Sequence, residues 1–164
     1  MTRITASRLR ELFFYDPQDG SWTRLIATGY RKRHKSGPVE GYKDKLGRIH
    51  IRADRKLYLS SRLAWLYQTG DWPKLFVDHK DGNPSNNRWN NLREATHTQN
   101  MRNRKPQRNV CGYKGVFRKN RTFRAKITVN YRPIYLGRYK TAEEAALAYN
   151  EASKKYHGEF GRQN

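Results

Sequence analysis

The stretch Val77-Asp78-His79-Lys80-Asp81-Gly82-Asn83-Pro84-Ser85-Asn86-Asn87-Arg88-Trp89-Asn90-Asn91-Leu92-Arg93-Glu94-Ala95-Thr96-His97-Thr98-Gln99-Asn100 decides how this chain folds. Phe76 and Val77 lead into a strand that carries Asp78 and His79, and Asp81-Gly82-Asn83-Pro84 turns the chain directly afterwards. Asn83, Asn86, Asn87 and Asn90 suit a compact loop held by its own side chains, with Leu92 anchoring a short second strand. Thr96 with Gln99 forms a capping box, so a helix is expected there, with Asn100 on the same side as His97. Strand, loop, strand and helix are thereby expected to bring Asp78, His79 and Asn100 together.

Those residue types form a coherent chemical set. A carboxylate and an amide oxygen are hard ligands, suited to one divalent ion, Mg²⁺ or Mn²⁺, rather than to a closed structural zinc site. An open site leaves room for phosphate oxygens, whose scissile bond a metal polarises. An unperturbed imidazole titrates near about 6.5, which makes His79 a usable general base toward water.

Composition narrows the substrate. The 164 residues allow one domain or two small ones with thin cores. Lys and Arg number 35 against 14 Asp and Glu, a net charge of +21, so the expected partner is a polyanion, double-stranded DNA before RNA. A single cysteine, Cys111, excludes a disulfide framework and a multi-cysteine zinc site. No apolar run approaches the ~20 residues of a membrane span. The first twelve residues lack the apolar core of a secretory signal. The expected location is intracellular, and no small-molecule cofactor is expected.

Upstream, Leu9, Leu12 and Phe13 at helical spacing predict a helix from about Ala6 to Tyr15, followed by the turn at residues 16–20. Residues 29–38 read as an exposed basic loop. Ile49, Ile51, Leu57 and Leu59 alternate around a turn at A-D-R-K, which predicts a hairpin. Ser60 or Ser61 is expected to cap a helix that Gly70 ends.

Downstream of a basic linker, three strand-like segments (114–118, 123–129 and 133–139) precede a helix from Ala142 to about Tyr156. That helix has Thr141 and Glu144 as capping box and Gly158 as stop. Phe123, Ala125, Ile127 and Val129 would face it, which turns Arg124, Lys126 and Thr128 outward. Arg118, Lys119, Arg121, Arg132 and Arg138 are expected to extend this cationic face, which is of a size to enter a DNA major groove.

Residues 77–100 resemble the motif of HNH endonucleases, in the D-H…N…N version of phage and intron homing enzymes. Asn91 stands twelve residues after His79 and Asn100 twenty-one after it. The resemblance implies a ββα-metal module in which Asp78 and Asn100 ligate the metal and His79 activates water. It also implies that Asn91 ties the loop so that His79 is held in line, and that the products carry 5′-phosphate and 3′-hydroxyl ends. Many members have a His where Asn100 stands, and His97 could offer an imidazole instead. Asn100 is preferred on spacing, with His97, Arg88 and Arg93 as supporting or phosphate-contacting residues.

The segments G-Y-K-G-V-F, F-R-A-K-I-T-V, Y-L-G-R-Y-K-T-A-E-E-A-A-L-A-Y-N-E-A and H-G-E-F-G-R-Q-N are similar to the AP-two DNA-binding domain of plant ethylene-response factors. On matching positions that likeness implies DNA contact by Lys114, Lys119, Lys126, Thr128 and Tyr135.

The expected architecture is α+β. A mixed N-terminal region (1–73) precedes a ββα-metal module (74–105), a linker (106–111) and a three-stranded antiparallel sheet with one helix (112–164). The expected function is a metal-dependent, site-preferring DNA endonuclease of phage homing type, acting as monomer or dimer. If phage-encoded, it would work in the host cytoplasm or nucleoid. The alternative is a non-catalytic DNA-binding factor with an inert motif.

Overall fold

Thr5 accepts a hydrogen bond from the Arg8 amide (3.2 Å) and so starts α1, Ala6–Leu12, which buries Leu9 and Leu12. The helix ends three residues earlier than its periodicity suggests. Phe13, Phe14 and Tyr15 take extended backbone, which aromatic residues favour, and form β1, Phe13–Tyr15. This strand pairs antiparallel with β2, Trp22–Arg24. The turn between them is held by Asp16, which accepts from the Gln18 amide, and by Asp19, which accepts from Ser21. β3, Gly37–Pro38, adds an edge to this sheet, where a proline costs no ladder bond.

The computed structural model describes residues 3–28, 34–104 and 111–162. Residues 29–33 of the expected basic loop 29–38 and all but Cys111 of the expected linker lie outside the described residues. The chain forms two units, Met1–Thr96 and His97–Asn164.

A second sheet of the first unit has the order β4 (Tyr42–Lys43), β5 (Ile49–Ala53), β6 (Lys56–Leu59). Asp54 and Arg55 both have positive φ, 41° and 66°, the geometry of a two-residue hairpin turn that matches strand twist. The expected alternation holds on β5, where Ile51 and Ala53 are buried. On β6 it fails: Leu57 is exposed and Tyr58 turns inward, its hydroxyl accepting from the Ile4 amide at 3.3 Å.

α2, Ser60–Thr69, follows without a side-chain cap. Ser60 is committed elsewhere, its buried hydroxyl accepting from the Trp22 indole N–H at 3.0 Å. Gly70, at φ 85°, closes the helix by donating to the Leu66 carbonyl. Leu9, Leu12, Phe13, Tyr15, Trp22, Ile51, Leu63 and Leu66 make the core of this unit. Each such side chain contributes about 1.5–3 kcal/mol of burial energy. The last elements of the unit are β7, Phe76–His79, and β8, Leu92–Ala95, which pair antiparallel with Asp78 opposite Arg93 and His79 opposite Leu92.

In the second unit, α3 (His97–Asn103) precedes β9 (Val116–Lys119), β10 (Thr122–Val129) and β11 (Arg132–Tyr139), an antiparallel sheet of order β11-β10-β9. α4, Ala142–His157, starts on the expected Thr141–Glu144 capping box. Its small residues Ala145, Ala146 and Ala152, with Tyr149, pack on Val116, Ala125 and Ile127. Gly115 lies so close to Tyr149 that a Cβ there would sit 2.2 Å from the ring, which explains a glycine at this point.

Lys114 departs from its expected role. Its ammonium points into the unit and donates to the carbonyls of Arg102 and Arg104, at the C-terminal end of α3, where a cation satisfies orphan carbonyls. Burial, with Arg162 and Arg104 nearby, pulls its pKa down to about 8. Between that value and its ordinary 10.5 the unfolded chain binds the extra proton, so stability rises with pH across this window. Lys114→Met should therefore abolish a pH-dependent gain. The gap between wild type and variant, read from chemical denaturation, should be most favourable to wild type above 10.5, shrink as pH falls from 10.5 to 8 and level off below 8. A gap constant across that range would contradict a buried ammonium.

Candidate active site

β7 presents Asp78 and His79 at the mouth of the Asn-rich loop. Asp78 is buried, 5% exposed, because its side faces β8. There Arg93 Nε donates to Asp78 Oδ2 at 3.0 Å, and Nη2 lies 2.9 Å from the same oxygen. Both side chains are almost out of solvent, 6% and 10% exposed, so this pair fixes the carboxylate's rotamer far more firmly than a surface pair could.

The loop is organised around Asp81. Its Oδ1 accepts from the Asn83 amide (2.7 Å) and from Asn91 Nδ2 (3.1 Å), and its Oδ2 from Asn86 Nδ2 (2.7 Å). Burial opposes its charge, yet these hydrogen bonds and the nearby His79 hold the carboxyl below its ordinary range. Asn91 closes the loop from the other side. Its Oδ1 accepts from the Asp81 amide, its Nδ2 also donates to the Asn86 carbonyl, and its own carbonyl accepts from the Lys80 amide. Asn91 touches the loop rather than the imidazole. The ring is met by Asn87, whose Oδ1 lies 3.1 Å from His79 Nε2.

The N-terminal region buttresses this loop. Tyr15 donates to the Asn87 carbonyl at 2.6 Å, Trp89 donates its amide to Pro17, and Ser85 donates its hydroxyl to Gly47. Trp89 also packs against Trp65 of α2, with ring centroids 5.1 Å apart. Burial, with Asp16 and Asp19 near, pushes the Tyr15 phenol up, so it remains a donor at any working pH.

Asp78, His79, Asn91 and Arg93 thus all belong to the first unit, on β7, the loop and β8. Asn100 and His97 lie on α3, in the second. Arg88 is exposed on the loop. Asp81 and Asn87 escaped the sequence reading as specific contributors, although the D-x-N spacing of an Asx turn marks Asp81.

Among the described residues no three His, Cys, Asp or Glu side chains gather as a cage. The Asp78 carboxylate is a hard oxygen donor, of the kind an ion takes that keeps several waters or accepts substrate oxygens, as Mg²⁺ does.

The C-terminal sheet sorts its cations by register. Arg124 stands opposite Arg138 on one side and Phe117 on the other, and Lys126 opposite Tyr135, with Thr128 alongside. Lys119 follows on the same face. Arg118 and Arg132 depart from the expected surface: their partners are Phe123 and Val129, so they share the side that α4 covers and are exposed only at its margin. Arg121 is exposed at the β9–β10 turn.

Residues 58–102, from β6 through α2, β7, the loop and β8 into α3, match the family model described as HNH endonuclease. This segment contains every residue of the candidate site. An uncharacterised HNH endonuclease of Acanthamoeba polyphaga mimivirus is 33% identical over 90 residues, 55% of this chain and 47% of that protein. The chain spans about half the length of that curated relative. A solved structure of DNA binding and cleavage by the HNH homing endonuclease I-HmuI aligns over 54% of this chain and 49% of its own, with 24% identity and a TM-score of 0.41. Among the described residues no helix is long and apolar enough to cross a membrane.

Proposed function

We propose that this protein is a metal-dependent DNA endonuclease of the homing type, with the site centred on Asp78 and His79. The observation that carries the reading is that these two consecutive residues end β7 and lead into the Asn-rich loop, inside the segment that matches HNH endonucleases. His79 takes the proton of the attacking water. Asp78 would hold one Mg²⁺ or Mn²⁺, with Asn100 as the second ligand that the HNH resemblance implies; the ion would polarise the scissile phosphate and steady the leaving oxygen. Asn91 and Asp81 keep the loop closed beneath the imidazole. His97 and the exposed Arg88 are placed among the phosphate contacts. One site per chain nicks one strand, and a second copy or a second event breaks the duplex.

The C-terminal sheet is the recognition surface in this reading, by its likeness to AP-two domains. Arg124 and Arg138 directly opposite each other repel, an arrangement that a polyanion on that face relieves. Lys126, Tyr135 and Thr128 lie beside them and Lys119 at the edge, whereas Lys114 is spent on α3.

The test is incubation of the purified protein with supercoiled plasmid carrying candidate target sites, with Mg²⁺, with Mn²⁺ or with chelator. Nicked or linear products that need the ion and carry 5′-phosphate ends are expected. Retarded plasmid that stays uncut under every condition would instead indicate a binding protein.

A further inference from the structure

The loop residue that meets the imidazole is Asn87, and its surroundings remove the usual ambiguity about which way an amide points. Asn87 is buried, 3% exposed. Its Nδ2 lies 3.4 Å from the Ser85 carbonyl, a group that can only accept, which directs Oδ1 to His79 Nε2 at 3.1 Å. An amide oxygen accepts only, so the neutral ring must carry its proton on Nε2. The basic lone pair is therefore on Nδ1, because the two ring nitrogens cannot both be protonated in the neutral imidazole.

Asn87 is itself held from behind. The Tyr15 hydroxyl donates to its carbonyl at 2.6 Å in a buried bond that joins residues 72 apart in sequence. Gly20, at φ 79°, lies beneath it so closely that a Cβ would sit 2.5 Å from the Asn87 carbonyl carbon and 2.6 Å from the Arg88 nitrogen. Backbone cannot yield there as a flexible side chain could. The β1–β2 hairpin therefore does more than fill the core: its first strand and its turn set where Asn87 stands.

We infer that Asn87 is the positioning residue of this site, fixing the tautomer and orientation of His79, and that Tyr15 and Gly20 hold Asn87 in place for that task. The inference rests on the reading of His79 as the general base. It assigns a share of the catalytic geometry to the first 20 residues, outside the segment 58–102 that matches HNH endonucleases. A general base acts only when its lone pair faces the proton it takes, so loss of Asn87 acts on turnover rather than on binding.

The test joins a spectroscopic reading to kinetics. Nitrogen-15 correlation spectra of the intact protein, taken where the His79 ring is neutral, should show the proton on Nε2. Asn87→Leu, nearly the same size but without an acceptor, should release the tautomer to a mixture and lower kcat by about 10- to 100-fold, with KM changed less than about twofold. Asn87→Asp keeps an acceptor and should keep the Nε2–H tautomer. Tyr15→Phe, which leaves the buried ring and removes one hydroxyl, should give a smaller loss of kcat in a folded protein. It also carries the test if Asn87→Leu fails to fold. A proton on Nδ1 in the wild-type spectrum, or an unaltered tautomer and kcat in Asn87→Leu, would overturn the inference. His79→Ala separates the two levels: if it cuts as wild type does, the base assignment fails whatever the spectrum shows.

Discussion

His79→Ala should slow DNA cleavage by about 10²- to 10⁴-fold, the range that a positioned general base contributes, and leave DNA affinity nearly unchanged. The two parts of this result have separate physical origins. Affinity comes mainly from phosphate neutralisation by cations, and the chain has 35 Lys and Arg to supply it. One neutral imidazole adds little to that sum. Turnover depends on a proton acceptor within reach of water, and His79 is the one imidazole of the first unit beside Asp78 among the described residues; His50 is paired with Asp44 at 3.0 Å on a different sheet. The measurement is single-turnover cleavage with saturating enzyme, together with gel retardation over a series of salt concentrations. Parallel salt slopes for variant and wild type are expected, because no phosphate contact is lost. A variant that cuts at the wild-type rate would remove His79 from the chemistry. One that neither cuts nor binds would move His79 to a structural role.

What could be read in advance follows the range of the forces involved. The loop at 81–91, the hairpin at Asp54-Arg55, the Gly70 stop and the Thr141–Glu144 capping box all rest on interactions a few residues apart, and spacing alone exposes them. Asp78 and His79 are consecutive in sequence, so a strand there was enough to set both at the entry to the loop. Three features depended on pairings that cross the chain. Asn87 meets His79 only after the loop closes on Asp81. Arg93 finds Asp78 through the β7–β8 register, fifteen residues away. Ser60 looked like a cap and is instead the partner of Trp22 in the core.

Charge was the least legible property. A lysine or arginine in sequence carries the same sign wherever it points, so the sheet cations looked alike. Register divides them: Arg124 and Arg138 are opposed on the open face, Arg118 and Arg132 lie on the helix side, and Lys114 caps α3. Arg24 shows the same effect in the first unit. It is buried at 6% exposure with its guanidinium 4.5 Å over the Phe13 ring, donating to Thr28 and to the Arg52 carbonyl. Desolvation lowers its pKa, and nothing in the local sequence sets it apart from the arginines at the surface.

Asp78→Ala should abolish metal-dependent cleavage and also destabilise the first unit by about 3–5 kcal/mol, the cost of breaking a buried ion pair from one side. The second effect arises because Arg93 would keep a nearly solvent-excluded guanidinium after losing the carboxylate 2.9–3.0 Å away. Loss of activity in this variant alone therefore has two explanations, an absent ligand and a disturbed β7–β8 ladder. The double variant Asp78→Ala/Arg93→Leu separates them, since replacing both members of a buried pair by apolar groups is commonly neutral or stabilising. Chemical denaturation should show most of the lost stability regained, while plasmid cleavage stays absent at any Mg²⁺ or Mn²⁺ concentration. Arg93→Leu alone should be destabilised as well, with the carboxylate retained. Its residual cleavage then reports how far the arginine serves by holding the Asp78 rotamer. If the double variant recovered both stability and cleavage, Asp78 would be a structural partner of Arg93 and the ion would have to be held elsewhere.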